Sequence, residues 1–243
     1  MTGNSAFIPV REEGWRRGLG NLMRAGFASW WKTSTWWIHA LIWTGVINMV
    51  LFGMFQTPEV PPQEAVGIYS LFAGMFPTVA VIIIMQGAIV GEKQSGTAAW
   101  VLSKPVSREA YVLSKLVPNA VGMVVTMILL PGLLALVQML VNGADVTVGR
   151  FFLSLSVITL HLLFYLALTV MLGAFFDQWG AVIAIPLGLL FGQQYLLSMI
   201  PALRYVLPWS LVMPLGDDIT SSLAGALMLG VAPEIMSPLY VIL

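Results

Sequence analysis

Thr35 to Phe55 is a run of about 21 residues without a formal charge. A helix of that length covers the ~30 Å hydrocarbon core of a bilayer. Comparable apolar runs follow at about 70–90, 116–141, 151–172 and 180–200. Nothing else in the chain constrains the fold as tightly. In hydrocarbon every backbone N–H and C=O must be paired within its own segment, so repeated runs of this length become a bundle of spanning helices. Composition agrees: 58% of residues are hydrophobic and 9% charged, against roughly 25% charged in a soluble domain. The expected fold class is an all-α integral membrane protein forming one transmembrane domain over residues 1–243.

The segments between the runs set the topology. From Trp15, apolar residues recur at Leu19, Leu22, Met23, Phe27, Trp30 and Trp31, the spacing of one helix face, with Arg16, Arg17, Asn21 and Arg24 opposite. Such a basic, Trp-rich amphipathic helix, placed at 11–32, lies in a membrane interface; a helix packed on a protein partner is the alternative. Trp36 and Trp37 extend the aromatic belt at the start of the first span. Gln56 to Tyr69 carries three prolines and two glutamates but no Lys or Arg, as an outer loop would. The second run holds Pro77 and ends in Gly87-Ala-Ile-Val-Gly91, a spacing that permits close helix approach. Pro131 predicts a kink in the third.

After Ile200 the pattern breaks, and residues 201–234 read as an outer loop. Within it, Ile219 to Ala232 is apolar for about 14 residues, which at 1.5 Å per residue reaches only ~21 Å, so a re-entrant or interfacial helix is expected. Residues 235–243 read as the opening of a further span, cut short. Segments assigned to the cytoplasm hold nine basic residues and those assigned outside hold Arg150 and Arg204. The positive-inside rule then puts the N-terminus in the cytoplasm of a multi-pass cell-membrane protein. Residues 1–32 read as lacking the apolar core and small-residue cleavage site of a signal peptide, so the first span is expected to direct insertion.

The polar stretch 91–115, GEKQSGTAAWVLSKPVSREAYVLSK, lies between the second and third runs. Ser95 is the expected N-cap of a short helix through Thr97, Trp100 and Leu102. Pro105 resets the chain, and Ser107 caps a second helix carrying Tyr111 and Leu113. Glu92 and Arg108 are placed to pair across the two ends, forming with Lys93 a polar rim around Trp100 and Leu102. A bare connector needs none of this.

The order E-K-x-S-G-T, then P-V-S-R, then Y-V-L-S-K resembles the first cytoplasmic loop of ABC-2 type permeases, the membrane subunits of one class of ABC transporter. The resemblance is close over Glu92 to Lys115 and extends elsewhere only through the pattern of spans. It implies a six-transmembrane-helix permease whose sixth helix is incomplete here, preceded by an interfacial elbow helix. It implies a coupling helix that docks on a separate ATPase, through Glu92, Ser95, Gly96, Thr97, Trp100, Leu102, Pro105 and Arg108. It further implies a second permease chain as partner, with the second and fifth spans at the dimer interface.

No G-x-x-x-x-G-K-[ST] loop occurs in the chain, so the resemblance assigns ATP and magnesium to the partner ATPase. The residues point to no catalytic, metal or cofactor site. His39 and His161 read as core or interface histidines. Zero net charge argues against a nucleic-acid binder. Polar residues within the spans are neutral: Asn48, Gln86, Gln138, Gln193 and Gln194. The absence of buried charge disfavours an ion-coupled secondary transporter. Gln193 and Gln194 beside Tyr195 are the candidate substrate-facing residues, interhelical hydrogen bonding being the alternative; the resemblance adds Gln86, by placing the second and fifth spans along the route. The resemblance implies ATP-driven transport, with export favoured, and the uncharged spans suit an amphipathic, lipid-like or drug-like molecule. A non-transporting membrane scaffold is the other reading.

Overall fold

The computed structural model describes residues 13–200, 202–203, 207–213 and 222–231. A single 3-10 turn, Gly14–Arg16, leads to α1 (Leu19–Trp31), α2 (Thr35–Phe55), α3 (Pro62–Gln94) and the short α4 (Thr97–Leu102). Then α5 (Arg108–Met123) runs through a π-helical stretch, Val124–Leu129, into α6 (Leu130–Val141). α7 (Val148–Phe175) and α8 (Trp179–Met199) complete the long helices, and α9 (Trp209–Val212) and α10 (Leu223–Leu229) are brief. Five helical stretches are long and apolar enough to cross a membrane, with α5 to α6 counting as one. Among the described residues there is no strand. The expected sixth span, 235–243, lies outside them, as do Arg11 and the ends of the 219–232 segment.

Three boundaries differ from the sequence reading. α3 begins at Pro62 rather than near 70, leaving only 56–61 as a link. Proline suits a first helical turn, where its missing N–H is not needed, and Glu64 there faces the positive end of the helix dipole. α3 also continues to Gln94, so Gly91 to Gln94 belong to a helix and not to the polar loop. The short helix after Ile200 covers seven residues, Leu223–Leu229, about half the expected length.

The kink expected at Pro131 takes the form of a π-helix just before it. Proline cannot donate to the preceding turn and its ring crowds the carbonyl four residues back, and a widened turn relieves both. Asn48 on α2 spans the irregularity. Its Nδ2 donates to the Pro131 carbonyl at 3.1 Å and to the Thr44 carbonyl at 2.9 Å, while its Oδ1 accepts from Gln138 Nε2 at 3.0 Å. Two of the neutral polar residues in the spans are therefore a bond between helices.

α3 and α7 run in the same direction through the core. Tyr69 stacks on Phe151 near one end, and Gly173 lies against Ile89 near the other. α10 is tucked beside them: Ser154 Oγ donates to the Ala224 carbonyl at 2.8 Å, and Ala224, Gly225 and Ala226 are buried. Ser222 caps α10 by accepting from the Gly225 amide, and Gly230 ends it in the left-handed conformation, φ 73°. Gly74 lets α9 approach α3, because a Cβ there would meet Val212 at 2.1 Å.

Candidate coupling site

α4 is carried on a left-handed turn at Gly96, φ 75°, where a residue with a Cβ would be strained. Ser95 is not its N-cap. It closes α3, donating its amide to the Gly91 carbonyl, and its hydroxyl lies 2.9 Å from that of Thr97. Gly96 reverses the chain direction after Ser95, which leaves the serine on the preceding helix. α4 buries Ala98 and turns Trp100 outward, 65% exposed, with Leu102 38% exposed. The Lys104 ammonium stands 5.1 Å from the Trp100 ring, close enough for a cation–π contact. Pro105 is exposed in the link to α5. Ser107 caps α5 as expected, accepting from the Ala110 amide at 3.0 Å.

Three consecutive residues at the end of α3 hold this loop in place. Glu92 accepts from the Tyr111 hydroxyl at 2.7 Å and from Lys115 Nζ at 2.5 Å. The expected Glu92–Arg108 pair does not form. Arg108 is the exposed first residue of α5, whereas Tyr111 and Lys115, four apart, share the face that meets α3. Lys93 points the other way, donating to the Ala174 and Phe176 carbonyls at 2.8 and 3.3 Å and to Asp177 Oδ1 at 2.9 Å. It thereby caps the carboxyl end of α7, where unsatisfied carbonyls attract a cation. Gln94 Nε2 donates to the Asp177 carbonyl at 3.0 Å, and Gln94 Oε1 accepts from Trp179 Nε1 at 2.5 Å.

Gly87 and Gly91, read from sequence as a close-packing pair, form the seat of a side chain. The Trp179 ring lies about 4 Å from where their Cβ atoms would be. No helix backbone occupies the groove; an indole does.

The N-terminal helix is bound to the same structure. The Ser107 amide donates to the Arg17 carbonyl at 3.0 Å, and the Ser107 hydroxyl to the Trp15 carbonyl at 2.5 Å. Further along, Gly26 abuts Pro118, and Trp30 lies over Gly122 while its Nε1 donates to Asn119 Oδ1 at 2.8 Å. The partners advance together along both helices, so α1 follows α5 in register and in the same direction. Of the predicted apolar face, Trp30 is buried and Leu19, Leu22, Met23 and Phe27 are half-buried, but Trp15 and Trp31 are exposed: Trp15 stands in the turn before α1, and Trp31, the last residue of α1, meets Trp36 of α2 instead.

The candidate substrate residues do not converge. Gln193 is buried and both amide ends are used: Nε2 donates to the Tyr165 hydroxyl and Oε1 accepts from the Trp209 amide at 3.0 Å. Gln194 is exposed, Tyr195 is 73% exposed, and Gln86 on α3 is half-buried. No hydrogen bond joins the four among the described residues. A groove of about 370 Å³ lined by Leu129, Phe152, Leu155, Ser156, Thr159 and Leu160 includes none of them.

Residues 24–207, from within α1 through the fifth long helix, match the family described as ABC-2 family transporter protein, and the chain belongs to that family. Members are membrane-spanning subunits of ABC transporters. A comparison with curated proteins gives no match. The sequence places Glu92 and Lys93 on a contact rim, but does not show that Glu92 meets Tyr111 and Lys115, that Lys93 meets Asp177, or that Gln94 meets Trp179. The one available signal was Asp177, a lone carboxylate in a short turn expected on the same side of the membrane as the basic 91–115 loop.

Proposed function

We propose that this chain is the permease of an ATP-driven exporter, and that α4 is its point of contact with a separate ATPase subunit. One observation carries the reading: α4 presents Trp100 and Leu102 outward while its base is tied on both sides, to α5 through Glu92 and to the α7–α8 turn through Lys93 and Gln94. Apolar side chains held out rigidly from a bundle are costly unless covered, and a large aromatic is a common interface anchor. The distribution of basic residues supports placing this end in the cytoplasm. A push on α4 would reach the third span through Tyr111 and Lys115, and the fourth and fifth through Asp177 and Trp179. ATP and magnesium belong to the partner in this scheme. Neutral spans favour an amphipathic or lipid-like cargo, moved between this chain and a second permease chain.

The test is isolation of the assembled complex from native membranes. A polypeptide bearing a phosphate-binding loop should come with the chain and should be lost when α4 is altered. Isolation with other partners only would favour a scaffold.

A further inference from the structure

From Gly14 to Pro58 the chain has no Asp or Glu. Arg16, Arg17, Arg24 and Lys32 are all exposed in this stretch, and none forms an ion pair among the described residues. α1 packs on α5 through Gly26 and Trp30, and Arg24 stands on its exposed side, with Arg16 and Arg17 in the turn before the helix and Lys32 just after it. Arg24 and Trp31 are seven residues apart, two turns, on that one side. Trp31 in turn meets Trp36 of α2, ring centroids 6.2 Å apart. From there the surface continues over exposed apolar residues of α2, the least buried of the long helices. The exposed cations in and around α1 therefore adjoin the exposed apolar surface of α2.

We infer that this face binds anionic phospholipid head groups of the adjoining leaflet. Tryptophan at the edge of a span marks the head-group level. Zwitterionic lipid would satisfy the indoles but leave four cations without counter-charge. Each Lys or Arg close to an anionic leaflet strengthens the attraction roughly fivefold. The inference is independent of whether α4 meets an ATPase.

The chain has no cysteine, so Ala25→Cys, exposed beside Arg24, gives one labelling site in the whole protein. A fluorophore there is followed in nanodiscs containing equal fractions of spin-labelled phosphatidylglycerol or spin-labelled phosphatidylcholine. The anionic lipid should quench severalfold more. The difference should collapse at about 1 M salt, where the Debye length is ~3 Å, and in the Arg16→Gln, Arg17→Gln, Arg24→Gln, Lys32→Gln variant. Equal quenching by both lipids overturns the inference. So does quenching by neither, which would mean that water or protein covers this face. The salt arm uses the parent chain, so poor folding of the variant leaves the test intact.

Discussion

Lys93 reaches across from the end of α3 to place its ammonium 2.9 Å from the carboxylate of Asp177, in the turn between α7 and α8. Asp177 is 80% exposed, so the ion pair itself contributes at most about 1 kcal/mol. The same ammonium also caps the Ala174 and Phe176 carbonyls. Its consequence is mechanical: the end of the second span is tied to the end of the fourth. Asp177→Asn should leave thermal unfolding in detergent nearly unchanged. Lys93→Met should lower stability by about 1–2 kcal/mol, because it strips hydrogen bonds from helix-end carbonyls. Equal effects from both would show that the ion pair, and not the cap, matters.

Glu92 carries two charge-assisted contacts, to Tyr111 and Lys115, and each such bond is worth about 1.5–3 kcal/mol at most when partly shielded. Glu92→Gln should loosen the base of the loop, read as faster proteolysis at Lys104 or Arg108 with the spans intact. Arg108→Gln should not reproduce it. If the arginine variant opens the loop as much, the Glu92 clamp is misassigned.

Gly122→Ala separates propensity from packing. Alanine in a helix interior is favoured over glycine by roughly 0.5–1 kcal/mol, yet a Cβ at Gly122 would stand 2.3 Å from the Trp30 ring. The contact should win, displacing Trp30, breaking its bond to Asn119 and lowering stability. Hydrogen exchange in α1 would rise. A stabilised Gly122→Ala variant would refute the seam between α1 and α5.

How far each of these features could be read from sequence depended on its range. The spans were legible because twenty uncharged residues have few fates in water, and most of the face of α1 was legible because helical period is local; Trp15 escaped it because it precedes the helix in a 3-10 turn. Ser107 was a correct cap because it stands three residues before the amide it accepts. Ser95 failed for an equally local reason, since Gly96 takes the left-handed turn and ends one helix before the next begins. The clamps were not legible: Lys93 and Asp177 are 84 residues apart, and only the parallel packing of α3 and α7 brings them together. Gly87 and Gly91 were visible as a groove, but its occupant, Trp179, was not.

Gln193 and Gln194 are adjacent and should behave oppositely. Gln193→Leu leaves the buried Trp209 amide and Tyr165 hydroxyl without their partner and should cost about 1–3 kcal/mol of stability. Gln194→Ala and Tyr195→Ala, both exposed, should leave stability within about 0.5 kcal/mol of the parent. Their effect, if they face cargo, would appear in transport alone. A stable Gln193→Leu protein with lost transport would instead place Gln193 on the substrate path.

The most direct measurement is the affinity of the ATPase subunit for the assembled Trp100→Ala permease. Removing an anchoring aromatic costs about 2 kcal/mol or more of binding, roughly thirtyfold. The account predicts a loss of that order, with transport-coupled ATP hydrolysis falling in step while the protein inserts and unfolds like the parent. Full ATPase association together with full coupled activity in the Trp100→Ala complex would contradict it.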